Sequence, residues 1–382
     1  MAEILVLTHT NPEFDSRIAK YLSFYKENSL KYIAIGVKTE KRIQSPTNSI
    51  LVYPKIKSTI DIINKLRVGT RYSRILLRFV YYSEIAMKQI LHGLMIRPKV
   101  VHVHDWFSLP SGWLICKIFN ARLIYDAHEL ESEANGVSRE MSILARSIEK
   151  ICWSKIDTFI TVSESILAWY MIEYGIKKSE IILNAPIVEK VSTEDYAQED
   201  YLRKKLKIDL ESRIFLYIGV LEYGRGIEKY LETFNRVDVA DHLVFLGSGS
   251  LEGKVRESMK HNPRIHIHNL VPHEQVTQIA KNANFGLCLI EEVSLSDWLC
   301  LPNKFFEYTF ANLPMVVSNF PELSEFVTRY SLGIAIETSG SELTDLVKDA
   351  EKLEKLEGGA HEADLYELSW EYQKIKLKSI YG

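Results

Sequence analysis

Along most of the 382 residues, short apolar runs alternate with amphipathic helical patterns, and this alternation limits the fold more than any other feature. The runs fall at Ile4–Thr8, Tyr32–Gly36, Val100–Val103, Arg122–Tyr125, Thr158–Val162 and Ile181–Leu183. They resume at Arg213–Ile218, His242–Leu246, Ile265–His268, Phe285–Ile290 and Pro314–Ser318. They are β-branched and continuous, the pattern of parallel strands covered on both faces. Helical patterns between them make βα repetition, so the fold class is α/β with parallel sheets. A polar, proline-containing stretch from Asn184 to Arg203 separates the two series. The expected architecture is two doubly wound, Rossmann-like domains, residues 1–187 and 188–365, facing a ligand cleft between their carboxyl edges. A last helical segment, residues 366–382 with Trp370 and Tyr372, has the aromatic residues to pack back on the first domain.

Bulk numbers narrow the function classes. A net charge of −3 argues against a globally basic nucleic-acid binder, and no nucleic-acid motif is found, so no nucleic-acid partner is expected. The start MAEILVLTH reads as a strand and not as a signal peptide. No apolar run reaches the roughly 18 residues that span a bilayer. Four cysteines without CxxC spacing, in apolar segments, are expected to be buried reduced thiols of a cytoplasmic protein. One segment departs from the even charge. Residues 55–99 carry ten basic residues against Asp61 and Glu84, interleaved with Tyr72, Phe79, Tyr81 and Tyr82. Such a helix suits an anionic membrane surface, and equally a packed helix with a solvated basic face.

Several constellations could carry chemistry. In LPNKFFEYTFANLPMVVS, Lys304 and Glu307 lie three apart on a short helix after Pro302 and share one face. A cation and a carboxylate beside a helix N-terminus suit a ligand with phosphates and vicinal hydroxyls. His102, His104 and Asp105 end one strand of the first half, and Asp126, His128 and Glu129 end the next, where open α/β sheets place ligands. His-x-His with carboxylates has metal-ligand chemistry, yet no third cluster completes a ligand set, and no metal is expected. His128 is favoured as a ligand residue, able to hydrogen-bond a sugar hydroxyl or assist charge separation. YIGVLEYGRG contains Gly219 and Arg225, and LGSGS contains Gly247 and Gly249; both are glycine turns after strands. Neither matches a P-loop or a full GxGxxG, and no DxD occurs to hold a metal-bound diphosphate. Arg225 and Lys304 together could supply that positive charge.

In this order, FDSRIAKY, HVHDWFSLPSGW, LIYDAHELESE, YIGVLEYGRGIEKY, VFLGSGS and LPNKFFEYTFANLPMVVS resemble the retaining family-four glycosyltransferases with the GT-B fold. The resemblance implies a metal-independent enzyme without cofactor, moving a sugar from a nucleotide-sugar donor to a glycan or lipid-linked acceptor in envelope polysaccharide assembly. A UDP-sugar is favoured over a GDP-sugar. Carried over, Glu307 binds the ribose hydroxyls, Arg225 and Lys304 bind the diphosphate, and His128 serves the donor sugar. His128, Arg225 and Lys304 are then the catalytic set. Gly219, Gly247, Leu270, Pro272 and Asn303 complete the donor site. Asp15, Arg17, His104, Asp105, Asp126, Glu129 and Asp297 fall on the acceptor or sugar side. The expected location is cytoplasmic, with residues 55–99 as the candidate segment for attachment at the inner face of the cell membrane.

Two departures stand out. Leu299 occupies the position, eight residues before Glu307, where the family often has a second glutamate; Asp297, Glu291 and Glu292 are the nearby substitutes. The N-terminal loop THTNPEF lacks the family's glycine pair. A sugar-nucleotide 2-epimerase of the same fold and a non-catalytic sugar-nucleotide-binding subunit are the alternative readings.

Overall fold

The continuous apolar runs are strands, and every observed pairing between them is parallel. The computed structural model describes residues 3–38, 48–52, 54, 71–187, 200–236, 240–356 and 361–381, leaving aside the side chains of 71–76, 274, 362 and 363. The chain forms two compact units, residues 1–162 with 166–182, and 163–165 with 183–382.

The first unit carries β1 (Ile4–Leu7), β2 (Tyr32–Val37), β3 (Ser49–Val52), β4 (Val100–His104), β5 (Arg122–Asp126), β6 (Thr158–Thr161) and β7 (Ser179–Ile181), in the order β3-β2-β1-β4-β5-β6-β7. The second carries β8 (Ile214–Ile218), β9 (His242–Leu246), β10 (Ile265–His268), β11 (Phe285–Cys288), β12 (Met315–Ser318) and β13 (Gly333–Ile336), in the order β10-β9-β8-β11-β12-β13. In each sheet the order reverses once, between β1 and β4 and between β8 and β11. Diverging crossovers leave a crevice there at the carboxyl edge. β1, β5's last four residues and β8 are buried throughout, as strands covered on both faces must be.

Expected and observed strands differ mainly at the sheet edges. Ile181–Leu183 was expected as a strand; the strand is Ser179–Ile181, with all three residues only half-buried. Phe285–Ile290 ends at Cys288, and the run from Pro314 starts at Met315. Two four-residue edge strands, β3 and β13, have no counterpart in the expected set. Their residues are mostly half-buried, so their apolar signal is short and weak. Most of the expected interdomain break, residues 188–199, lies outside the described residues, as do Lys55, Lys57, Asp61, Lys65 and Arg67. From Arg71 to Ile96 the basic segment is one helix. Among the described residues no helix is long and apolar enough to cross a membrane. The last helix, Trp370–Tyr381, belongs to the second unit, where Gln373 accepts a hydrogen bond from the Leu183 backbone N–H at 3.2 Å.

Two helices position the residues of interest. Asp15 starts the Ser16–Glu27 helix, its carboxylate accepting from the backbone N–H groups of Arg17 and Ile18. Ile18, Tyr21, Leu22 and Tyr25 then face the sheet. The Asn303–Phe310 helix follows Pro302 and is pinned by Tyr308, whose hydroxyl accepts from Ile218 N–H at 2.9 Å and donates to Leu216 O at 2.9 Å. That bond fixes the helix over β8 and sets where Lys304 and Glu307 stand. Elsewhere in the first unit, Glu149 is fully buried and accepts from the hydroxyls of Tyr125 (2.6 Å), Tyr170 (2.6 Å) and Tyr174 (3.0 Å). The four cysteines are free thiols; Cys116, Cys152 and Cys288 are buried and Cys300 is half-buried.

Candidate active site

In the first unit the carboxyl ends of β4 and β5 meet the start of the Ser16–Glu27 helix. Arg17 grips Asp126 with two bonds, Nε to Oδ2 at 3.0 Å and Nη2 to Oδ1 at 2.7 Å, and donates from Nη1 to Ile182 O at 2.7 Å. Burial alone would raise the Asp126 pKa, but the charge and hydrogen bonds of Arg17 outweigh it and hold it below the usual carboxylate range. Above this pair lie His102 and His104, which burial pushes down to about 3 and well below the ordinary value respectively, so both are neutral imidazoles. His102 Nδ1 meets the Tyr25 hydroxyl at 2.8 Å, and His104 Nδ1 meets His128 Nε2 at 2.9 Å.

His128 is therefore held from both sides. Its Nδ1 lies 3.4 Å from Asp105 Oδ2, and its backbone N–H donates to Asp105 Oδ1 at 3.3 Å. The Asp105 carboxylate favours a proton on His128 Nδ1, which leaves Nε2 facing His104 Nδ1. Asp105 has a backbone φ of +61°, a left-handed conformation that costs a non-glycine residue energy and is common where function imposes it. Glu131 sits beside it. Burial, then the charges of Asp105 and Glu129, push the Glu131 carboxyl well above its ordinary range, so it keeps a proton and hydrogen-bonds Asp105. His9, neutral because of its burial, completes the group with Nδ1 4.0 Å from Asp105 Oδ2.

This geometry revises several expected roles. Arg17, His104 and Asp126 are enclosed and engaged with one another or with His128, so they hold the site and are not placed to touch an acceptor. Asp15 is a helix cap. Asp105 is buried and faces His128, and Glu129 alone of the first-unit candidates is exposed. The imidazole of His128 has both nitrogens engaged inside the protein. His102, His104 and Asp126 cluster closely enough to suggest a cation site, but the Arg17 guanidinium already occupies both Asp126 oxygens. Sequence reading missed His9 and Glu131. Only the proximity of Glu131 to YDAHE offered a signal.

In the second unit the loops after β8 and β9 are in backbone contact. Gly219 has φ +131°, and its N–H donates to Leu246 O at 3.1 Å. A Cβ at Gly247 would fall 1.8 Å from the Gly219 carbonyl oxygen, so only glycine fits there. Lys304 reaches this loop from the Asn303–Phe310 helix. It is 8% exposed, its Nζ lies 3.9 Å from the Tyr217 ring centroid, and Nζ has no hydrogen-bond acceptor among the described residues. A buried ammonium with only a π face beside it is a site for an anion. One turn along the same helix, Glu307 is 4% exposed with Oε1 3.3 Å from His273 Nδ1.

The other donor-side candidates fall around these two. Arg225 Nη1 lies 3.4 Å from Asp297 Oδ1, and Asp297 also accepts from the Ser294 hydroxyl at 2.9 Å. Asp297 is thus committed to Arg225. Leu299 is only 9% exposed, an apolar residue of the interior. Asn303 Oδ1 accepts from Asn184 Nδ2 at 2.7 Å. Leu270 is 67% exposed, and Pro272 leads into the His273–Ala280 helix. Sequence reading missed Tyr217 and His273, although His273 directly follows the turn that it singled out.

Comparison with known proteins bears on the family and the fold. Residues 53–186 match the family described as Glycosyltransferase Family 4. A 71-residue stretch is 30% identical to starch synthase 3 of Arabidopsis thaliana, covering 17% of this chain and 7% of that protein. Over its whole length the chain superposes on Alr3699/HepE of Anabaena, solved in complex with UDP, with a TM-score of 0.73, 11% identity and 99% of that chain covered. Sucrose-phosphate synthase from Thermosynechococcus elongatus gives 0.71 at 14% identity, covering 100% of this chain and 98% of that one. The lipopolysaccharide outer core galactosyltransferase WaaB gives 0.63 at 13% identity, with 98% of each chain covered. At these identities the superpositions establish the fold.

Proposed function

From the premise of a family-four glycosyltransferase domain on a GT-B fold, we propose that the protein transfers a sugar, with retention of configuration, from a nucleotide-sugar donor to a glycan or lipid-linked acceptor. The observation that carries this reading is Lys304, a buried cation with no hydrogen-bond acceptor next to a glycine loop. A diphosphate supplies the missing acceptors. Arg225 adds a second positive charge, tempered by Asp297, and these two cations do the work that a metal would otherwise do. Glu307, kept in place by His273, takes the vicinal hydroxyls of the ribose. The exposed Leu270 gives the base an apolar neighbour. UDP is favoured because the Anabaena relative was solved with UDP.

His128 is assigned to the sugar end of the reaction. Its contacts with Asp105 and His104 make it an oriented dipole beside developing positive charge. The acceptor hydroxyl attacks on the face the diphosphate leaves, and the departing phosphate takes the proton, so positioning and charge stabilisation provide the rate.

The test is a panel of UDP- and GDP-sugars offered with crude acceptor lipid, following nucleoside diphosphate release without added metal and with chelator. Release from one donor, abolished in Glu307→Ala, is the expected result. Absence of release from every donor would sink the proposal.

We further propose that the protein works at the inner face of the cell membrane. The Arg71–Ile96 helix supports this by exposing Val80, Met87, Leu91 and Met95 along one stripe crossed by the Glu84–Lys88 ion pair, with Arg78 exposed in its second turn and Arg97 just past its end. An apolar stripe with basic ends suits an anionic bilayer surface. Flotation with anionic vesicles at low salt, weakened by the double substitution Met87→Glu and Leu91→Glu, is the expected outcome. Binding that ignores both salt and the substitutions would rule it out.

A further inference from the structure

Wholly within the first unit is a cavity of about 300 Å³ between the Arg71–Ile96 helix, the start of the Asp105–Phe119 helix and the loop after β5. This volume lies at the small end of ligand sites, which span roughly 300–1,000 Å³. One wall is aromatic, with Tyr82 and Phe107 stacked at 4.1 Å between centroids. Val137 lies on the loop opposite, and Arg78, Glu129 and Glu131 supply the polar groups.

Two observations point to an occupant. Glu131 Oε2, on the cavity lining, is buried with no hydrogen-bond partner among the described residues, a cost that a hydroxyl-bearing ligand would remove. Glu131 also touches Asp105, the residue that holds His128, so an occupant lies one carboxyl pair from the residue assigned to the reaction. The chemistry argues against an ion. Burial holds the Glu131 carboxyl well above its ordinary range, and Arg78 and Glu129 on the lining carry opposite charges, so the lining is close to neutral. An aromatic wall facing carboxyl oxygens is the equipment for a pyranose ring, with its C–H face on the aromatic side and its hydroxyls on the carboxyls.

We propose that this cavity is the subsite for the accepting sugar of the acceptor, an uncharged pyranose lying against the Tyr82 side of the aromatic wall with a hydroxyl on Glu131 Oε2. The assignment rests on the glycosyltransferase reading above and names the acceptor class for it.

Ligand-observed saturation-transfer NMR tests it with the methyl glycosides of glucose, galactose, mannose and N-acetylglucosamine. Methyl glucuronide is run beside them, and UDP in a parallel sample. At least one neutral glycoside is expected to give a signal. That signal should fall at least fivefold in Glu131→Ala and in Val137→Trp, which fills the cavity from an exposed loop and spares the core. It should return in Glu131→Gln, whose amide reproduces both the donor and the acceptor of the protonated acid. UDP should stay bound in every variant. UDP binding without any glycoside signal overturns the subsite and leaves the transferase reading standing, whereas loss of both removes the two together. Binding of the glucuronide alone overturns the uncharged ring. A glycoside signal that survives Val137→Trp comes from elsewhere and overturns the assignment.

Discussion

Lys304 is solvated by one aromatic face and little else, a poor exchange for water on grounds of stability alone. Lys304→Met keeps the length and removes the charge. The unliganded protein should therefore melt at the same temperature or a few degrees higher, while UDP affinity falls at least tenfold, about 1.4 kcal/mol. Isothermal titration with UDP and a thermal scan check both halves, and intact affinity would remove Lys304 from the donor site. The pairing of Lys304 with Glu307 was readable because a spacing of three fixes a shared helix face. Arg17 and Asp126 were not readable as partners. They lie 109 residues apart, and only the placement of the Ser16–Glu27 helix against the end of β5 brings them into contact. Asp15 did carry a signal, since an aspartate just before a helical run is a capping pattern. The competing reading as a ligand contact obscured it.

At the scale of elements, the loops after β8 and β9 act as one part, because the Gly219 carbonyl oxygen occupies the space that a side chain at position 247 would need. Gly247→Ala must push the loops apart at a cost of about 1–3 kcal/mol. It should lower the melting midpoint and the UDP affinity together. Gly253 in the Glu252–His261 helix is the control, since nothing lies within 4 Å of a Cβ placed there. Gly253→Ala should raise stability by about 0.5–1 kcal/mol through helix propensity and leave UDP binding alone. If Gly247→Ala behaves like Gly253→Ala, the loop contact has no bearing on the site. The central strands were readable because they are buried on both faces and so are largely apolar, with few polar residues among them, such as His102, His104 and Asp126. The edge strands β3 and β13 are covered less completely, and four residues give no period to detect.

At the scale of the whole chain, acid should act first on the unit that buries its histidines most completely. His102 and His104 titrate far below an exposed histidine, near pH 6.5, so below that pH the unfolded chain takes up protons that the folded unit refuses. Stability conferred by their neutral forms is complete above about pH 6.5 and is lost as pH falls toward about 3, at about 1.4 kcal/mol per pH unit for each histidine. The depressed Asp126 adds a further loss at the acid end of that range. The paired His242 and His266 of the second unit are only half-buried and should contribute less. The melting midpoint should fall steadily from pH 7 to pH 4.5, and a flat profile would contradict the burial of the two imidazoles. The cysteines make the comparison between units measurable. Cys116 and Cys152 belong to the first unit, Cys288 and Cys300 to the second, and burial raises all four thiol pKa values. A pyridyl disulfide therefore labels each pair only when its own unit opens. Peptide mapping of the label against time turns the four thiols into two internal clocks, one for each half of the chain, without a single substitution.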